Sequence, residues 1–156
     1  MTELIAAMDT HFVGAPELTE EDLQDEWSDL ELDRDAWLFE LDGELAGYAS
    51  LHIGPHTFAD GYVHPRYFGR GVGTRIVELT EAEARSRRMQ TIRNAVLAAD
   101  EQARALLDSR GYRALRHFYR MAIEFEGPPP PRGVARRAAR GASRLRARSG
   151  GLPRNA

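Results

Sequence analysis

Gly69-Arg70-Gly71-Val72-Gly73-Thr74 decides how this chain is read. The stretch follows an extended run, Phe58 to Val63, that ends at His64-Pro65. It opens an amphipathic run from Val72 to about Arg88. Three glycines in five residues at a strand-to-helix turn strip side chains from the backbone where unpaired N–H groups point outward. Glycine accepts positive φ and close approach, and a helix start offers orphan donors with a partial positive charge. The combination predicts a cradle for phosphate. It is not a P-loop, which requires a lysine, and the chain has none. Nor is it the G-x-G-x-x-G dinucleotide fingerprint, because the spacing is G-x-G-x-G and the preceding strand does not open a βαβ unit.

Outward from this turn, the flanks alternate between helical and extended signals. Leu4, Ile5, Met8 and Phe12 have helical spacing, so Thr2 to about Phe12 reads as a helix, stopped at Gly14-Ala15-Pro16. Thr19-Glu20-Glu21-Asp22 has the capping-box form, and Leu23, Trp27 and Leu30 give the following helix its apolar stripe. Ala36 to Leu41 and Leu45 to Ile53 read as strands joined by an Asp42-Gly43 hairpin turn, with Gly47 marking a weak or bulged point. Thr57 to Val63 is the third strand of the meander. Thr91 to Leu97 reads as a further strand, and Asp100 caps a helix to Arg110 that ends at Gly111. From Tyr112 to Glu126, apolar positions at 115, 119, 121, 123 and 125 alternate with Arg116, Arg120 and Glu124, which predicts one long strand.

The run Tyr62-Val63-His64-Pro65-Arg66-Tyr67-Phe68-Gly69-Arg70-Gly71-Val72-Gly73 resembles the acyl-CoA loop of the GCN5-related N-acetyltransferase (GNAT) family, a strand ending in V-x-P followed by [Q/R]-x-x-G-x-[G/A]. Asp100-x-x-Ala103-x-x-Leu106-Leu107-x-x-x-Gly111-Tyr112 is similar to the family's N-x-x-A-x-x-[LF]-Y-x-x-x-G-[FY] helix. The two motifs stand in the family's order, within an α-α-β-β-β-α-β-α-β sequence over about residues 2–126. The resemblance implies an α/β (α+β) fold, a mostly antiparallel mixed sheet flanked by helices. It implies acetyl-CoA as cosubstrate, held at Tyr62, Val63, Phe68, Gly69, Arg70, Gly71, Val72, Gly73, Thr74 and Asp100. A backbone N–H near Val63 would hold the thioester oxygen. The implied reaction is acetyl transfer to a primary amine of a small molecule or peptide.

Departures from the pattern carry their own implications. Only Met1 to Glu3 stand where the family has a first strand, so that strand is expected to be missing. The family has two strands after the last helix where this chain reads as one. Phe68 occupies the [Q/R] position, where the family contact is largely through the backbone N–H. Leu107 occupies the position of the tyrosine proposed to protonate the departing thiolate, and leucine donates no proton. This favours a second reading, a catalytically inert acetyl-CoA-binding domain. Gly127 to Pro131 resembles the linker of tandem actinobacterial acetyltransferases, including those like mycothiol synthase, which implies a chain shortened at both ends. Residues 1–126 are expected to form the GNAT domain and 127–156 a disordered basic tail.

Charge supports the same division. All 21 basic residues are arginine, and 15 acidic residues fall between positions 1 and 44. Residues 1–126 sum to −11 and residues 127–156 to +8, within a total of −3. The acidic N-terminal segment points to a cationic acceptor, because in the family the first two helices wall the acceptor site. The arginine-rich tail has no aromatic residue for base stacking, so nucleic acid is not the expected partner. Absence of cysteine excludes a thiolate metal site and a cysteine acyl-enzyme. No signal-peptide start and no run of about 20 apolar residues is present, so a cytoplasmic protein is expected. Asp60, His64 and His52 are candidates for the base that deprotonates the amine. Each is equally read as a turn or edge carboxylate, a surface histidine before proline, or a solvated strand residue, so no catalytic residue is assigned. The Gly54-Pro55 break denies His52-x-x-x-His56 the helical spacing of a zinc pair, and no metal is expected.

Overall fold

The computed structural model describes residues 1–123 and Gly127. The expected tail from Pro128 onward, with its linker resemblance, and Glu124 to Glu126 lie outside the described residues. Residues 1–115 form one compact unit, and the chain from Arg116 belongs to a second.

The first unit is a mixed α+β fold. Helices α1 (Thr2–Val13), α2 (Glu20–Ser28) and the single turn α3 (Leu32–Asp35) precede strands β1 (Ala36–Leu41), β2 (Glu44–His52) and β3 (Phe58–Val63). A 3-10 turn (Pro65–Tyr67), helix α4 (Val72–Ser86), strand β4 (Arg93–Asn94) and helix α5 (Glu101–Ser109) follow. The sheet order is β1-β2-β3-β4, antiparallel except for the parallel β3–β4 pair. No strand precedes α1 among the described residues. None of the described helices is long and apolar enough to cross a membrane.

Local chemistry fixes the element ends. Thr19 and Asp22 form the reciprocal capping box that starts α2. Asp42 and Gly43 both take positive φ, 57° and 79°, which gives the β1–β2 hairpin the twist-compatible turn. One residue of β2, Ala46, is left over between the pairs Phe39↔Gly47 and Glu40↔Leu45, so the bulge stands beside Gly47.

The sheet buries both faces. Val72, Ile76, Val77, Thr80, Glu81 and Ala84 recur at helical spacing and form the buried side of α4. Val72 and Ile76 pack with Ala46, Ala49 and Tyr67, covered by Trp37, Phe39, Leu41 and Val63. Gly47 and Gly61 are the seats for this helix. A Cβ on Gly47 would stand 2.8 Å from Val72 Cγ1 and 3.1 Å from the Tyr62 carbonyl, and one on Gly61 would stand 2.9 Å from Ile76 Cγ2. On the opposite face, Leu4, Ile5 and Leu23 bring α1 and α2 against Leu45 and Tyr62. Trp27 Nε1 donates to the buried Tyr48 hydroxyl at 2.8 Å and ties α2 to β2.

Two expectations are corrected. The strand expected over Thr91 to Leu97 shrinks to Arg93–Asn94, which pairs only at Phe58↔Arg93 and Ala59↔Asn94. The long strand expected from Tyr112 takes no helix or strand form over residues 112–123. Alternation makes a strand only where another strand supplies ladder partners, and among the described residues β4 pairs with β3 alone.

Candidate functional site

The glycine turn is built as a bare helix start. Gly69 and Gly71 have φ of 71° and 84°, a left-handed conformation that disfavours any side chain, and the space beside both is open. Gly71 is the N-cap of α4, and no side chain caps the helix. No acidic residue stands in its first turn, and the first helical bond recorded across the turn is Arg75 N–H to Gly71 O, 3.0 Å. The amides of Gly69, Gly71, Val72, Gly73 and Thr74 have no partner recorded among the described residues, and the macrodipole adds positive potential there. Two amides of the turn are used internally. Phe68 N–H donates to Pro65 O and Arg70 N–H to Tyr67 O, each at 3.2 Å. The backbone contact that the resemblance gives to Phe68 is therefore already engaged within the protein.

The turn is held by the β1–β2 hairpin. Arg70 reaches Asp42 at 2.9 Å and covers the Tyr67 ring, whose hydroxyl donates to Glu44. That bond, with Arg66 beside it, holds the Glu44 carboxyl below its usual range. Phe68 stacks on Phe12 of α1, and Val72 is buried against Gly47. Thr74 is exposed. A Cβ on Gly73 would lie 3.9 Å from Val63 Cγ2 and 3.7 Å from Leu106 Cδ2, so the start of α4 sits between the end of β3 and α5. Asp100 caps α5 by accepting from Ala103 N–H at 2.9 Å.

A seam opens beside this turn. His64 N–H donates across to Ala46 O, and Arg93 N–H donates to Thr57 O. Backbone groups alternate sides along a strand, so Thr57, Ala59, Gly61 and Val63 face β4, and Phe58, Asp60 and Tyr62 face β2. The β4 ladder stops at Ala59. Beyond it the outward backbone of Gly61 and Val63 has no strand partner among the described residues.

On the α1/α2 face, the structure brings together residues that the chain separates. Ser50 pairs with Asp60 across β2 and β3, and His52 stands diagonal to Asp60. Glu26, one position before Trp27 on α2, completes the group. His52 Nε2 lies 3.6 Å from both Glu26 Oε1 and Asp60 Oδ2, and all three ligand-type atoms lie within 4.8 Å of one another. Glu26 Oε1 is buried without a hydrogen-bond partner. Burial first, and then the Glu26 charge, pushes the Asp60 carboxyl up to about 7. Tyr62 stacks on Tyr48 beside it, and burial with the Asp60 charge pushes its hydroxyl well up.

His64 does not join this group. Its Nδ1 accepts from Arg66 N–H at 3.2 Å, and the residue lines a cavity of about 240 Å³ with Leu4 and Tyr67. His56 is exposed. Leu107 is half-buried in α5 and supplies no proton. Sequence reasoning singled out His52 and Asp60 but missed Glu26, lost among the acids of α2. Its signal was spacing: it falls three residues after Leu23, on the flank of the apolar stripe.

Comparison with known proteins adds the family. Residues 3–112 match the model of the acetyltransferase (GNAT) family. A GCN5-related N-acetyltransferase from Sphaerobacter thermophilus is 30% identical with a TM-score of 0.65; the match covers 72% of this chain and 39% of that one. YncA, a putative acetyltransferase from Salmonella typhimurium solved with its cofactor acetyl-CoA, is 20% identical with a TM-score of 0.60, over 80% and 78% of the two chains. The aminoglycoside N-acetyltransferase AAC(6')-Iy, solved in complex with CoA, is 16% identical with a TM-score of 0.55, over 78% and 89%. No curated protein matches. With its bare helix start, its open seam and a family match spanning most of its length, this chain belongs to the GNAT acetyltransferase family.

Proposed function

We propose that this chain moves an acetyl group from acetyl-CoA to a primary amine of a small molecule or peptide. The observation that carries the reading is the set of amides at Gly69, Gly71, Val72, Gly73 and Thr74, unpartnered among the described residues, at a helix start free of acids. A pyrophosphate matches such a set in charge and geometry. Binding it far from the reacting carbon would fix the acetyl group in place. The pantetheine arm would run along the seam beyond Ala59↔Asn94, with the outward Val63 N–H aimed at the thioester oxygen. One such donor is worth about 3 kcal/mol in the transition state. Attack by the amine is direct, since the chain has no cysteine to carry the acyl group. Two solved neighbours hold acetyl-CoA or CoA, which supports the same cosubstrate here.

The test is calorimetric titration with acetyl-CoA. Gly71→Val places a β-branched residue at φ 84° and a side chain over the cradle. Affinity is expected to fall at least 100-fold while circular dichroism keeps its shape, and retained affinity refutes the cradle. Leu107 favours a second reading, a domain that binds acetyl-CoA without turnover. CoA release against a panel of primary amines separates the two.

A further inference from the structure

Glu26, His52 and Asp60 stand outside the acetyl-CoA cradle and are handled unlike the other buried carboxylates of this chain. Among the described residues, the ion-pair partner of Glu26 and Asp60 is His52 alone. Their side chains are 23%, 28% and 20% exposed in the order Glu26, His52, Asp60, while Glu26 Oε1 itself is buried and has no hydrogen-bond partner among the described residues. The His52 nitrogen is too far from either oxygen for a hydrogen bond, and Ser50 Oγ is its hydrogen-bonding neighbour at 3.4 Å. The triangle of atoms within 4.8 Å is wide enough that one nitrogen, about 2.8 Å from each, contacts all three. Tyr48 and Tyr62 of the sheet stand beside it, with Trp27 of α2 against Tyr48.

We propose that this cluster is where the acceptor's ammonium docks and loses its proton, with Asp60 as the base. The inference rests on the acetyl-transfer reading above. The ammonium R–NH3+ gives one proton to the Asp60 carboxylate. The neutral amine's lone pair forms the N–C bond to the acetyl carbonyl. The C–S bond breaks with its pair on sulfur, and the second nitrogen proton goes to that thiolate. This assigns no role to Leu107. Asp60 returns its proton to solvent past the partly exposed His52. Glu26 acts through Asp60 as a positioning residue, because its charge makes Asp60 more basic. The groups facing Asp60 are Glu26 from α2, His52 and Tyr48 from β2 and Tyr62 from its own strand, and Asp9 of α1 acts on Tyr62. Asp9 is already bound to the amides of Glu17 and Leu18.

The experiment uses the full chain, with butylamine and 1,4-diaminobutane as acceptors and calorimetry for acetyl-CoA. Asp60→Asn is expected to lower kcat/KM at least 100-fold, abolish the acidic limb of its pH profile near 7 and leave acetyl-CoA affinity within twofold. Glu26→Gln is expected to move that limb to lower pH, which loss of packing alone would not do. An unchanged rate and limb in Asp60→Asn overturns the proposal. So does activity lost to a chelator and restored by zinc, which makes the cluster a metal centre. Carbon-detected NMR of the Asp60 carboxyl gives a reading without turnover: butylammonium at 100 mM is expected to lower its titration midpoint by about one pH unit. No shift refutes docking even if no amine is acetylated. Failure of wild-type acetyl-CoA binding refutes the cradle instead, so the two failures are distinct.

Discussion

Asp60 and Glu81 are both largely buried carboxylates, and the fold surrounds them in opposite ways. Glu81 on α4 receives Arg110 at 3.0 Å and Arg85 at 2.9 Å, and its carboxyl is held below its usual range by those donors against the cost of burial. Nearby, Arg87 joins Asp35 and Glu83 and also donates to the Arg34 carbonyl at 2.7 Å. These cations close α4 and α5 over the sheet. Asp60 faces a second carboxylate and a histidine, with no guanidinium among the described residues, and burial drives its charge off toward neutral pH. Among the described residues, no arginine pairs with Asp60 or with its neighbour Glu26. Neutralised carboxylates hold structure; an un-neutralised pair stores an appetite for a cation or a proton.

The comparison breaks most visibly at Arg87. Arg87→Ala leaves Asp35 and Glu83 without their shared cation and is expected to cost about 2–4 kcal/mol, read as a lower Tm and urea midpoint. An unchanged midpoint would show that this network carries no structural weight.

Asp60→Asn should act with the opposite sign. The folded-state carboxyl titrates at about 7, above its ordinary value of 3.8, so its favourable contribution is complete below the ordinary value and is lost as pH rises toward 7. The variant lacks that loss. Its stability advantage over wild type is expected to grow from pH 4 to pH 7 and level off above, reaching on the order of 1–3 kcal/mol. Thermal melts across that range check it, and an advantage that shrinks with pH would reverse the argument.

Glu81→Gln sharpens the contrast at the acid end. A carboxyl held below its ordinary 4.5 contributes stability above that value and loses it as pH falls through the folded-state midpoint. The variant is expected to be about 1 kcal/mol less stable at pH 7, with a flatter acid limb in its melts. The smallest effect belongs to Arg34 and Glu31, an exposed pair with side chains 62% and 68% accessible. Arg34→Gln truncates that pair while keeping the backbone carbonyl that Arg87 uses, and should shift stability by less than about 0.5 kcal/mol.

Much of the fold was legible where its cause is local. The Thr19 capping box, the Asp42-Gly43 turn, the left-handed Gly71 before α4 and the Asp100 cap each rest on a few adjacent residues, and each appears as read. The expectations that failed needed a distant partner. Thr91 to Leu97 and the alternating stretch after Tyr112 both carry strand composition, yet a strand is made by its neighbour's carbonyls and amides, and only Arg93 and Asn94 find them. Gly47 reads as a weak or bulged point in a strand, but its purpose is also set by Val72, twenty-five residues later, pressing on its bare Cα.

The sequence by itself determined a glycine-bounded helix start, because φ preference and N-terminal polarity belong to the residues that carry them. It determined the meander and the two motifs around it for the same reason. Only the tertiary structure decided that Glu26, His52 and Asp60 meet, that no arginine among the described residues pairs with them, and that Asp60 holds a proton near neutrality. Desolvation and Coulomb energy are sums over neighbours in space, and a linear order of residues does not contain those distances.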